Sequence, residues 1–192
     1  MVISSCKEES LQDKIARMGV ENFSVSRYIY DQWRGYHNMP FTILKTVNEN
    51  GKIDSTYTNS QEIDWREIFG VFMETDISDH ELTGRYKYSQ FEDREDNSMS
   101  YYYEAIDDKN FASHLFDKYQ DLITRKLLIT TNPYTNYITG IYIETFEHSM
   151  FTGDVKQKLF FSPTARIIQI QRYVSPLIGK KKSIITQYFL QH

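Results

Sequence analysis

Over 192 residues the chain has one cysteine, four prolines and eight glycines, and no acidic side chain after Asp154. A single cysteine excludes an internal disulfide framework and a multi-cysteine zinc site. So little proline and glycine, beside 40% hydrophobic residues, excludes collagen-like and low-complexity chains. No stretch approaches the ~20 apolar residues of a membrane-spanning helix. The five histidines (His37, His80, His114, His148 and His192) never pair at i+2 or i+4, so no HExxH-type metal signature exists. There is no GxSxG, and Gly179-Lys180 lacks the upstream glycine of a phosphate-binding loop. The loop from Glu74 to Glu81 gathers four acids and His80, which could supply oxygen ligands to Ca²⁺. It lacks the EF-hand spacing and central glycine, and a solvated loop is the plainer reading. No catalytic, cofactor-binding or metal-ligating residue is therefore assigned, and the reading favours a non-enzymatic protein.

Charge is unevenly spread. Net charge is −4, from 22 basic and 26 acidic residues. Residues 1–61 carry seven of each sign, residues 62–121 carry 16 acids and 6 bases, and residues 122–192 carry 9 bases and 3 acids. An overall acid excess disfavours a nucleic-acid partner. The polarity could orient the molecule near a charged surface, unless strands from the two halves neutralise each other in space. Lys180, Lys181 and Lys182 fall in a turn, either as a solvated tip or as a contact for anionic lipid heads.

The lone cysteine sits in Ile3-Ser4-Ser5-Cys6, followed by Lys7-Glu8-Glu9-Ser10. An aliphatic residue, two small residues and Cys resemble the lipobox of bacterial lipoproteins. The resemblance implies that residues 1–5 are the remnant of a signal peptide, that Cys6 carries the lipid, and that residues 7–10 tether the folded domain to it. Residues 1–10 are thus read as signal remnant and tether, and residues 11–192 as one β-rich domain. The implied location is the bacterial cell envelope, as an outer-membrane lipoprotein facing the periplasm or the cell surface. The membrane is then a partner through the N-terminal lipid anchor.

Apolar periodicity predicts helices first and strands after. Leu11, Ile15 and Met18, then Val25, Tyr28, Ile29 and Trp33, follow helical spacing across 8–34. Phe41–Val47 and Ile53–Thr58 flank Asn50-Gly51, a strong hairpin signal. Trp65, Ile68, Phe69 and Phe72 predict a second helix over 62–74 with Asp64 at its start. Thr83–Phe91 and Ser98–Ile106 alternate with period two, and Phe111 to Leu122 suggests a further short helix. From Ile123 onward five strands follow, separated by turn residues. The fold class is α+β, mostly antiparallel β: an N-terminal helix, a hairpin, a second helix, then a β-meander forming a half-barrel or barrel. This layout is similar to the LolA-like and lipocalin-like architectures of envelope proteins, and to uncharacterised lipoproteins with an Ile-Asp-Trp helix start.

Fifteen tyrosines are weighted toward the strands. Tyr86, Tyr88, Tyr101, Tyr103, Tyr142 and Tyr173 are candidates to line a ligand groove, because tyrosine joins a broad apolar face to one hydroxyl. High β propensity explains the same residues as core. Two functions stand. One is a lipid-anchored envelope protein binding an apolar ligand or a partner protein. The alternative is a hydrolase of envelope glycans or lipids that uses two carboxylates.

Overall fold

The computed structural model describes residues 22–106, 122–149 and 153–191. Cys6, the helical pattern at 8–18 and the one beginning at Phe111 lie outside them. Among the described residues two α-helices, α1 (Val25–Tyr36) and α2 (Trp65–Met73), accompany nine strands. The strands are β1 (Thr42–Glu49), β2 (Lys52–Asn59), β3 (Tyr86–Asp93), β4 (Ser98–Ala105), β5 (Thr124–Thr131), β6 (Ile138–Ser149), β7 (Gly153–Ser162), β8 (Ile167–Ser175) and β9 (Lys182–Gln191). All pair antiparallel in one sheet, in the order β2-β1-β9-β8-β7-β6-β5-β4-β3. The α+β, mostly antiparallel class holds. The sheet is open, with β2 and β3 at its edges, so the closed-barrel form of the expectation does not occur and the half-barrel form is the compatible one. From β3 to β9 the strands form a simple meander. The β1–β2 hairpin does not start that meander. It joins at the far end, where Ile43 pairs with Leu190.

Local chemistry fixes the helix starts and turns. Ser24 caps α1, its hydroxyl accepting from the Arg27 N–H, and the Asp64 carboxylate caps α2 by accepting from the N–H groups of Arg66 and Glu67. Asn50 and Gly51 both take positive φ, 51° and 92°, as the tight hairpin turn requires.

The sheet's core face is read directly from the register. One row crosses it through Tyr188, Ile168, Phe161, Ile141, Ile129 and Tyr101, and the next through Ile170, Leu159, Ile143, Leu127 and Tyr103. Both helices cover this face. Phe161 sits at the centre, with the rings of Tyr36, Phe69 and Phe72 edge-on to it at 6.1, 5.8 and 6.4 Å. Trp65 stacks on Phe69 at 5.6 Å and its Nε1–H donates to the Ser60 carbonyl at 2.8 Å.

Candidate functional site on the outer face of the sheet

The six tyrosines singled out by sequence do not share one surface. Tyr86, Tyr88, Tyr101 and Tyr103 lie on the core face of β3 and β4, where Tyr88 opposes Tyr103 with ring centroids 5.1 Å apart. Tyr86, Tyr101 and Tyr103 are buried, and only Tyr88 is exposed. The Tyr86 hydroxyl donates to the Thr124 carbonyl at 2.9 Å, and burial pushes its pKa up to about 12 against the opposing pull of Arg125 and Arg85. Burial likewise raises Tyr103, helped by Tyr88. These three are core side chains with satisfied or sheltered hydroxyls.

Tyr142 and Tyr173 lie on the opposite face, because each follows a core-face neighbour by one residue: Ile141 is buried inward and Tyr142 turns outward. The Tyr142 hydroxyl donates to Glu144 Oε1 at 2.6 Å, and burial together with that carboxylate raises its pKa. Tyr173 donates to Gln171 Oε1 at 3.0 Å.

The acidic loop has structural work of its own. The Asp76 carboxylate accepts from Ser24 Oγ at 2.9 Å, from the N–H groups of Val25 and Ser26 at 3.2 Å each, and from the Ser78 N–H at 3.0 Å. It pins the start of α1 to the end of α2, and so holds both helices on the sheet. Asp79 accepts from the Glu81 N–H at the head of a 3₁₀ turn, His80–Leu82. No cluster of three or more metal-ligating side chains occurs among the described residues.

The outer face divides into two zones. Across β7 to β3 runs a ladder of alternating charge: Lys158, Glu144, Lys126, Glu104 and Lys87, each opposite the next. Lys126 and Lys158 approach Glu144 at 3.8 and 4.0 Å. One step of the ladder, Lys126 opposite Glu104, joins the basic C-terminal part of the chain to the acidic middle. Of the carboxylates an enzyme reading would need, Glu144 is taken up by two lysines and a tyrosine. Arg125 and Lys156 flank the Phe146 ring beside the ladder, at 5.6 and 5.4 Å.

Across β2, β1, β9 and β8 the same face carries a row of apolar side chains. Tyr57 opposes Leu44, Leu44 opposes Phe189, and Phe189 opposes Ile167, giving an unbroken four-strand row. Two residues along lies a polar row, Ser55, Thr46, Gln187 and Gln169, and four residues along Ile53 and Ile185 flank Asn48 in the same orientation. Tyr57 is 66% and Ile53 65% exposed. Neither described helix packs on this face, and beyond β2 no further strand pairs among the described residues. The row was not singled out from the sequence. Its signal was there, in strands apolar at both parities: Ile167-Ile168 in β8, Ile184-Ile185 and Phe189-Leu190 in β9. A strand with only one packed face needs one apolar parity, and a second one marks a surface awaiting cover.

Set beside known protein families, curated proteins and solved structures, the chain matches none of them.

Proposed function

We propose that the chain is a non-enzymatic envelope lipoprotein, anchored through Cys6, whose β2 edge and adjoining outer face receive a partner protein. The observation that carries the binding part is the row Tyr57–Leu44–Phe189–Ile167 beside an unpaired edge strand. An eight-residue strand exposed along nearly its whole length, with free backbone donors and acceptors, is the surface to which an extended segment adds as a further strand. The apolar row then supplies burial on the outer face, and Tyr57 supplies a rigid aromatic contact of the type that dominates interface energetics. The envelope part rests on Ile3-Ser4-Ser5-Cys6. Cysteine lipidation in this setting adds two or more acyl chains, which anchor stably where a single chain does not.

Photo-crosslinking residues placed at positions 53 and 57, in cells that make the native protein, test the contact. Adducts to a protein at both positions, and none at exposed Ser89 on β3 at the opposite edge of the sheet, are the expected result. Equal labelling at all three positions, or none, removes the reading. Intact mass of the native protein tests the anchor separately: a diacylglyceryl or triacyl adduct on Cys6 is expected, and an intact Met1 with an unmodified thiol overturns it.

A further inference from the structure

The turn between β8 and β9 has a composition unlike the other turns of the sheet. The last register pair between β8 and β9 is Val174 with Lys182, and Ser175 still pairs with Asp154 of β7, so residues 176–181 project beyond the strands. At the apex Leu177 is 60% and Ile178 93% exposed, the latter more than any other large apolar side chain among the described residues. Lys180, Lys181 and Lys182 follow at once and are all exposed. Among the described residues none of the three forms an ion pair. The acids at this end of the sheet, Glu49, Glu147 and Asp154, lie within paired strands rather than in the projecting turn, and Asp154 is held by His148 at 2.6 Å.

The base of the turn is braced from both sides. Asn50, from the β1–β2 turn, donates its N–H to the Ser183 carbonyl at 2.9 Å and accepts the Ser183 N–H on its Oδ1 at 2.9 Å. On the other side Gly153 packs so closely that a Cβ there would lie 2.3 Å from the Ser175 carbonyl oxygen and 2.8 Å from Pro176 Cα, and its φ of +91° itself favours glycine. Gly179, at φ +115°, reverses the chain between the apolar pair and the lysines. Two apolar side chains are therefore held out into solvent by a supported turn, at the cost of their burial elsewhere.

We propose that this turn is a membrane-surface contact: Leu177 and Ile178 enter the headgroup boundary of an anionic lipid surface while Lys180, Lys181 and Lys182 meet its charge. Charge complementarity selects the occupant. Three unpaired lysines call for an anionic surface, and an apolar apex projecting past them calls for an apolar layer lying behind that charge. An acidic protein segment would satisfy the lysines and leave Ile178 without cover. The contact does not depend on lipidation of Cys6 and goes beyond the partner surface on β2.

The test uses the full chain carrying Cys6→Ser, so that no acyl chain contributes. Sedimentation with phosphatidylcholine vesicles, with and without phosphatidylglycerol, reads the partition. Binding to the anionic vesicles alone is expected, weakening as salt is added. Exchanging the three lysines for glutamine should lower the partition about fivefold per lysine. Ile178→Ser should lower it about tenfold. Ile178→Trp should show a blue-shifted emission on anionic vesicles and none on neutral ones. No binding, equal binding to neutral vesicles, or binding indifferent to both sets of substitutions overturns the proposal. An acidic protein as the true occupant falls under the first of these outcomes. The partner contact on β2 is read independently by crosslinking at Tyr57.

Discussion

The two faces of one sheet are built from alternate residues of the same strands, yet they solve opposite problems. The core face is apolar from β9 to β4 and is closed by Trp65, Phe69, Phe72, Val25 and Ile29 from the helices. One of its buried polar groups is tied to the loop after α2, where Thr124 Oγ1 donates to the Thr75 carbonyl at 2.9 Å. The outer face is charged and paired across one half, and across the other an apolar row lies open beside a polar one. Burial on the first face drives folding, whereas the exposed charge pairs of the second add little to stability. A side chain's parity in its strand, more than its type, decides which role it plays: Tyr101 and Tyr102 are neighbours in sequence and belong to different faces.

The sharpest way to break this contrast is at the centre of the core. Phe69→Ala should cost roughly 3–5 kcal/mol in denaturant titration, the range for a buried phenylalanine. A loss under ~1 kcal/mol would mean that α2 does not rest on the sheet. Asp76→Ala comes next. It removes the acceptor of four hydrogen bonds at the junction of the helices and should cost about 2 kcal/mol by the same measurement.

Alkaline titration probes the core face by another route. Burial holds Tyr86 neutral to about 12 in the folded chain, above the ordinary value of 10. The stability it contributes is complete below that ordinary value and is lost as pH rises from 10 toward about 12. Urea midpoints followed across that window should fall, and Tyr86→Phe should flatten the fall. The smallest effects belong to the outer face. Glu144→Gln, which leaves Lys126 and Lys158 without their shared partner, should cost under about 1 kcal/mol. Tyr57→Ser should change stability within about 0.5 kcal/mol while removing the crosslinked partner. A larger loss would show that the row is structural.

Elements carried by a strong local signal were legible in the sequence. The stripe Trp65, Ile68, Phe69 and Phe72 gave α2, Asn50-Gly51 gave the first hairpin, and alternation with turn residues gave the existence and order of the later strands. What was not legible required knowledge of neighbours. Nothing in β1 or β9 alone says that they pair, because register between distant strands is a property of the assembled sheet. The face of each tyrosine depended on a strand phase that double-apolar positions such as Ile167-Ile168 leave ambiguous. Asp76 looked like one acid among several, and its role as a capping anchor emerged only when α1 came to lie against α2. The openness of the sheet was undecided for a similar reason, since a strand sequence does not state how strongly the sheet curls.

The pairing of β1 with β9 also has a consequence for how the molecule is made. Thr42 meets Gln191 and Glu49 meets Ile184, so β9 is not an outermost strand but sits third in the sheet, between β1 and β8. The β1–β2 hairpin emerges early from the ribosome and has no neighbour until β9 has followed it out. Until then two strand edges stand open, at β1 and at β8, and the loop to be closed spans nearly the whole domain, which makes the step entropically slow. Closure of the sheet between β1 and β8 therefore waits on β9. Removal of β9 should release the hairpin from the rest of the sheet rather than merely fray an end.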